Sequence, residues 1–350
     1  MAAKTVISID TLGGDHAPDV VIDGLRLFAE RDADTRFLLH GPGPVLEDLL
    51  NDAPALKARC ETRHSEDRVK MDDKPSQALR RARGSTMWNA VEAVQSGEAQ
   101  SAMSAGNTGA LMAIAISLLR KMDGVHRPGM TALWPTMTGT SVVLDVGANL
   151  EADAEQLVTF AVMGEAYARA VTGKARPSIG LLNIGSEETK GHGHIRQAGE
   201  LLSRPELQVD YYGFVEGDDI SAGTVDVIVT DGFSGNIALK AAEGTARLVA
   251  SYLRDALTRD TRSKLGALLA APGLRALRSK MNPSNVNGGV LLGLNGLVVK
   301  SHGGADADGI ATAIALATNL ADSQYKEEVA AGLSRIANLA IPPAAPQAHA

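Results

Sequence analysis

The residues of this chain that could do chemistry are lysines, hydroxyls and amides gathered beside glycines at the ends of apolar runs, a set suited to holding an anion. The richest stretch is Val225-Asp-Val-Ile-Val-Thr-Asp-Gly-Phe-Ser-Gly-Asn-Ile-Ala-Leu-Lys240. Val225 to Thr230 is β-branched and reads as a buried strand. Asp231 to Asn236 reads as a tight polar turn with two glycines, after which Leu239, Ala242, Ala246, Val249 and Leu253 recur at helical spacing. A helix N-terminus reached through glycine aims N–H groups and the positive end of the macrodipole at its ligand. Ser234 or Asn236 is expected to cap this helix. Gly235 admits close approach, and Lys240, about one turn in, adds a full charge. The same residues also describe an ordinary strand–helix turn with a solvated lysine.

Three further segments end an apolar run in the same way. Ser101-Ala-Met-Ser-Ala-Gly-Asn-Thr-Gly-Ala110 precedes the apolar helix Leu111 to Leu119 and offers Ser104, Gly106, Asn107 and Thr108. Ser141-Val-Val-Leu-Asp-Val-Gly-Ala-Asn149 holds Asp145, and Ile179-Gly-Leu-Leu-Asn-Ile-Gly-Ser-Glu-Glu-Thr-Lys-Gly191 holds Lys190. Ligands of open α/β sheets bind beyond the carboxyl ends of the strands, so four such loops predict one shared site. Lys190 reads equally as a working cation and as a surface lysine. Asp10, Asp145 and Asp231 stand at strand ends, where they can orient lysines or close Asx turns; for Asp145 the turn is favoured. His16, His192, His194 and His302 are candidate proton donors, because histidine titrates near neutrality. Asp10 and Asp15 on one loop are too few for a metal site, and neither metal nor cofactor is expected. Cys60 has no catalytic setting and reads as inert.

The elements that must position these residues follow an α/β pattern. Strands and helices alternate as far as Asp231, which predicts a mainly parallel sheet with helices on both faces. Thr5 to Ile9 reads as the first strand, Arg36 to His40 as the next, Ser76 to Ser96 as one helix and Gly288 to Gly304 as a late return to strand. From Ala246 to Lys280 no strand pattern appears; two helices are expected to meet near Pro272 and Gly273. The expected organisation is a single α/β domain over 1–340, long enough for two lobes, with a protruding helical arm at 246–282 and a tail, 341–350, without structure.

Composition narrows the function classes. Aromatic residues make up 3% of the 350 residues and the net charge is −7, which excludes a base-stacking or general nucleic-acid binder. The single cysteine excludes an intrachain disulfide and suits a reducing cytosol. Met1 to Asp10 runs straight into a strand without a signal-peptide core, and Ala110 to Leu119 is too short to span a bilayer.

Together the motifs resemble a family. Asp10 to Pro18, Ser104 to Ala110, Asp145 to Asn149, Leu182 to Gly185 with Lys190-Gly191, Asp231 to Lys240 and Lys300-Ser-His-Gly303 look like the bacterial acyl-carrier-protein:phosphate acyltransferases of phospholipid synthesis. The likeness runs from about Val6 to Ala321. Thr11-Leu12, where alanine-methionine is more usual, and Ser186 with His192-Gly-His194 are mild departures. The resemblance implies transfer of a long-chain acyl group from acyl carrier protein to inorganic phosphate. The acyl phosphate so formed is used by a membrane glycerol-3-phosphate acyltransferase. It further implies a cofactor-free homodimer with a fold similar to the phosphotransacetylases and the isocitrate and isopropylmalate dehydrogenases.

Phosphate attacking a thioester needs no enzyme nucleophile, only a site that places the dianion, stabilises the oxyanion and lets the thiolate leave. On that reading Lys190, Asp231, Asn107 and His16 are the catalytic candidates. Ser104, Gly106, Thr108, Ser234, Gly235, Asn236 and Lys240 are the phosphate-binding candidates. The arm from Arg247 to Lys280 carries eight positive charges against Asp255 and Asp260, a net of +6, around the uncharged stretch Leu265 to Leu274. Arg262, Lys264, Leu268, Leu269, Arg275 and Arg278 are therefore expected to touch an anionic membrane surface or the acidic carrier protein. The protein is expected to be cytoplasmic and peripheral to the membrane. The competing readings are a phosphotransacetylase acting on acyl-CoA, a decarboxylating dehydrogenase and a non-catalytic scaffold for acyl carrier protein.

Overall fold

Alternate residues of the strands enter opposite apolar layers. Val142 and Leu144 face one, Val143 the other; Val227 and Val229 face the first, Ile228 the second. A strand buried on both faces in this way needs helices on both faces of its sheet. The computed structural model describes residues 5–280, 283–337 and 339, without the side chains of 276, 278–280, 283 and 285. The expected tail at 341–350 lies outside the described residues.

The strands are β1 (Val6–Asp10), β2 (Arg36–Gly41), β3 (Cys60–His64), β4 (Ser101–Ser104), β5 (Gly129–Pro135), β6 (Thr140–Leu144), β7 (Ser178–Leu182), β8 (Asp210–Val215), β9 (Val227–Val229), β10 (Gly289–Leu292) and β11 (Leu297–Lys300). They form one sheet in the order β3-β2-β1-β4-β11-β10-β5-β6-β9-β7-β8. The helices Asp19–Ala29, Ala154–Thr172 and Ala307–Ala321 cover one face, and Thr86–Gln95 and Thr108–Leu119 the other. The helix Ala154–Thr172 is buried along most of its length, with Phe160 and Tyr167 fully enclosed.

The sheet is mainly parallel, as expected, but it changes direction in the middle. β3, β2, β1, β4 and β11 run together, and β6, β9, β7 and β8 run together. Between these runs the β11–β10, β10–β5 and β5–β6 pairs are antiparallel. Three reversals leave the two parallel runs pointing in opposite directions. Register then brings their carboxyl ends level. Gly289 pairs with Lys300, Leu291 with Met130 and Thr131 with Leu144, so the last residues of β11 and β6 stand at nearly the same height across the sheet.

Three expectations change at the element ends. The helix expected over 76–96 is two, Pro75–Arg81 and Thr86–Gln95, parted by Gly84 at φ +84° and capped anew by Ser85, whose side chain accepts from the Trp88 N–H. The turn expected over Asp231–Asn236 is already helix, since Gly232–Thr258 is continuous. Two helices do meet near Pro272 and Gly273, but Thr261–Leu269 ends before them and both residues lie in the first turn of Ala271–Lys280, while the 246–280 region holds a third helix end at Thr258. Proline in a first turn lacks only an N–H that would have no intrahelical partner.

Along Gly232–Thr258 only Gly232 and Gly235 are buried, while Leu248, Val249, Tyr252 and Leu253 are exposed. Leu268 and Leu269 are 71% and 77% exposed. Arg262, Lys264 and Arg275 are exposed beside them; the side chain of Arg278 lies outside the described residues. Among the described residues no helix is long and apolar enough to cross a membrane.

Candidate functional site

The predicted loops assemble as two groups, one at the carboxyl end of each parallel run. In the first group Asp10, Ser104 and Lys300 are register partners on β1, β4 and β11, so they stand side by side on one face of the sheet. The Ser104 hydroxyl donates to Asp10 Oδ2 at 2.6 Å and accepts from the Gly106 N–H at 3.0 Å. A Cβ on Gly13 would meet Asp10 Oδ2 at 2.6 Å and Gly106 N at 2.8 Å, so glycine is what lets the loop after β1 lie on the loop after β4. Burial raises the Asp10 pKa above the usual carboxylate range, while Ser104, Thr86, Leu12 and Gly13 favour its charged form. Its Oδ1 is buried without a hydrogen-bond partner. Lys300 is buried, and its ammonium donates to the carbonyls of Ala105, at 3.4 Å, and Ser301.

Asn107 works as a clamp in this group. Its Oδ1 accepts from the Ala110 N–H at 3.0 Å, capping the helix Thr108–Leu119. Its amide donates to the carbonyls of Met71 and Asp73, both at 2.9 Å, which holds the 70–73 turn over the site. With those contacts made, its amide is committed to the fold. Thr108 and His16 are exposed; the Asp15 N–H donates to Gly303 O at 2.9 Å, tying the His16 loop to the loop after β11.

The second group forms where β6, β7 and β9 end. Asp145 Oδ1 accepts from the N–H groups of Met130, Gly147 and Ala148, and Oδ2 from the backbone and side chain of Asn149. Both oxygens are therefore committed to the loop, and Asp145 is the turn-former its sequence suggested. Asp231 caps the helix Gly232–Thr258: Oδ1 accepts from the Ser234 N–H at 2.7 Å, and Oδ2 from its hydroxyl at 3.1 Å. This corrects the expectation that Ser234 or Asn236 is the cap. The N–H groups of Gly232 and Gly235 go to the carbonyls of Asn149 and Asp231, so this helix end keeps few donors for an anion. Asn236 is exposed and packs beside Gly147, where a Cβ would lie 3.6 Å from it.

The two candidate lysines of this group are half exposed, each beside an acid of its own segment. Lys240 Nζ is 2.8 Å from Glu243, and Lys190 Nζ is 3.8 Å from Glu187. Such surface pairs hold their cation loosely. Asn183 anchors the second loop by donating to Lys190 O at 3.1 Å. His192 and His194 stack at 5.5 Å at the start of the next helix, and burial with the neighbouring His192 lowers the His194 pKa. Among the described residues no cluster of three or more His, Cys, Asp or Glu side chains is placed to hold a metal. Cys60 lies on β3, and burial pushes its thiol up to about 12, far from a reactive thiolate.

Lys240 belongs to one group and Lys300 to the other, and the Lys240 charge is near enough to disfavour the Lys300 ammonium. Lys300 was not among the candidate site residues. The signal for it is a lysine closing the wholly apolar strand Leu297–Lys300 immediately before a glycine loop.

Comparison with known proteins agrees with this architecture. A family model described as "Fatty acid synthesis protein" matches residues 5–328. The phosphate acyltransferase of Caulobacter vibrioides is 53% identical over 336 residues, covering 96% of this chain and 93% of its own. That of Maricaulis maris is 54% identical, covering 97% of each. The fold is similar to a phosphotransacetylase from Streptococcus pyogenes, with TM-score 0.61 and 16% identity over 92% of this chain and 95% of that one. A phosphotransacetylase from Staphylococcus aureus superposes with TM-score 0.58 and 14% identity over 91% and 94%. The family match over residues 5–328 and identity above half with the two phosphate acyltransferases along nearly their whole length place the chain in the fatty acid synthesis protein family, among its phosphate acyltransferases.

Proposed function

We propose that this acyltransferase moves a long-chain acyl group from acyl carrier protein to inorganic phosphate, releasing acyl phosphate for phospholipid synthesis. The observation that carries the reading is the seam itself, where the carboxyl ends of two opposed parallel runs come level and each run brings a lysine close enough for its charge to act on the other. One phosphate oxygen attacks the thioester carbonyl carbon. The tetrahedral oxyanion collapses, the C–S bond breaks, and the thiolate leaves and takes up the proton that the hydrogen phosphate gives up. The enzyme supplies placement and charge, which are the larger part of such catalysis. Lys240 supports phosphate binding with the exposed Asn236 and Thr108, while Ser104, Gly106, Ser234 and Gly235, whose donors are bonded within the loops, hold those loops in shape around it. Lys190 supports the developing oxyanion from the neighbouring loop.

The basic flanks and apolar tip of the arm support contact with the acidic carrier protein or an anionic membrane surface. The exposed apolar side chains of Gly232–Thr258 support a homodimer formed along that helix. Peripheral attachment would release acyl phosphate beside the membrane glycerol-3-phosphate acyltransferase that consumes it.

The test is acyl-phosphate formation from palmitoyl carrier protein and inorganic phosphate, run beside palmitoyl-CoA. Faster turnover of the carrier thioester supports the proposal. Equal or faster turnover of the CoA thioester assigns a phosphotransacetylase-type donor. Binding of the carrier protein without phosphate-dependent loss of thioester would reduce the protein to a scaffold.

A further inference from the structure

Lys300 has the burial of a core residue and the charge of a surface one. It is 8% exposed and closes a strand whose other residues are Leu297, Val298 and Val299. Removing an ammonium from water is costly unless a partner charge repays it. Its hydrogen bonds reach only neutral carbonyls, those of Ala105 and Ser301, and no salt bridge to it occurs among the described residues. Burial pulls its ammonium down to about 8, against the opposing attraction of Asp10 and Asp15; Lys240, from the other run, adds to the lowering. Lys300 and Lys240 are thus neighbouring cations carried by different halves of the sheet. Repulsion of that kind is relieved by an anion lying between them.

Asp10 completes the arrangement from the other side. It shares the face and the register of Ser104 and Lys300. The Ser104 hydroxyl fixes one of its oxygens, and the other is buried without a hydrogen-bond partner. A carboxylate so placed attracts the lysine without quenching it in a direct pair.

We propose that Lys300 binds the attacking phosphate from the end of β11, and that Asp10 positions the lysine for it. The inference rests on phosphate being the acyl acceptor. It makes Lys300 a catalytic residue by contact and Asp10 a positioning residue.

Inorganic phosphate alone is the probe, added to the full chain and followed by calorimetry and by the shift in thermal unfolding; steady-state kinetics supply the second readout. Lys300→Met should weaken phosphate binding about tenfold or more, and raise the phosphate KM by a like factor, while leaving the thioester KM within about twofold. Asp10→Asn should weaken it by a smaller factor. In the parent, phosphate affinity should fall as pH rises past about 8, where this ammonium loses its proton and phosphate is already the dianion. Lys300→Arg should bind phosphate with that fall removed, because arginine stays charged. Parent-like phosphate binding by a folded Lys300→Met overturns the proposal. So does a Lys300→Arg protein that keeps the parent's fall above pH 8, a result that stands even where the methionine variant does not fold. Loss of phosphate binding in these variants, with a parent that forms no acyl phosphate, would sustain this site and defeat the proposed donor.

Discussion

A Cβ on Gly235 would stand 1.9 Å from the carbonyl oxygen of Asp145. The first turn of the helix Gly232–Thr258 therefore lies directly on the loop after β6, backbone against backbone, and glycine alone permits the approach. Gly235→Ala must force the two apart. We expect a loss of about 2 kcal/mol or more in denaturant unfolding, the scale of an overpacked interior site. Activity should fall further than stability, because the displaced loop and helix are one wall of the seam. Parent-like stability in the alanine variant would show that helix and loop do not touch.

Lys240→Ala should raise the phosphate KM about tenfold, the scale of one lost charge-assisted hydrogen bond, and Asn236→Ala by less. Unfolding midpoints should barely move, since the Lys240–Glu243 pair is exposed. Lys190→Ala should lower turnover with the same indifference to stability. Normal phosphate saturation in both of the first two variants would place the anion elsewhere, and unchanged turnover in the third would return Lys190 to the surface.

His40 makes stability depend on acid. It is buried on β2, with Nε2 2.9 Å from the Ser8 hydroxyl on β1. Burial, helped by nearby Arg63, lowers its pKa from 6.5 to about 4. The unfolded chain then takes up the proton first, so stability falls as pH falls from about 6.5 to about 4, by roughly 3 kcal/mol in all. His40→Gln should remove that slope while keeping a hydrogen bond to Ser8. Urea unfolding of both proteins across this window is the measurement, and parallel acid losses would contradict a neutral buried imidazole.

The arm makes a separate prediction. Leu268→Glu combined with Leu269→Glu places two charges on the exposed apolar tip and should abolish flotation with anionic vesicles. Vesicle binding equal to the parent's would remove the tip as an anchor.

Much of this was legible in the sequence because strand ends are marked by composition. The apolar run before Asp145 ended where its pattern stopped, and of the β-branched run Val225 to Thr230 before Asp231 the centre, Val227–Val229, is strand. Strand direction was not legible: β5 and β6 alternate their side chains identically whichever way they run, and only their pairing reveals the reversal. Gly232 and Gly235 read as a turn because glycine disfavours helix, yet close apposition to Asp145 and Asn149 outweighs that penalty. In Asp231-Gly-Phe-Ser-Gly-Asn236 three polar residues fit a cap equally, and the start of the helix chooses Asp231. Lys300 escaped because a terminal lysine reads as solvated; its burial depends on Ala105 and Ser301, brought over it by tertiary packing.

The middle of the sheet has a consequence for how the protein is made. β10 and β11 occupy the centre, yet they come last among the strands of the described residues. β4, finished by residue 104, waits for a neighbour that begins at residue 297, and β5 waits for one that begins at residue 289. On the ribosome, then, two half-sheets with unpaired inner edges precede the closing hairpin. Such edges invite pairing with other chains, so the nascent protein is most exposed to misassembly just before β10 and β11 emerge.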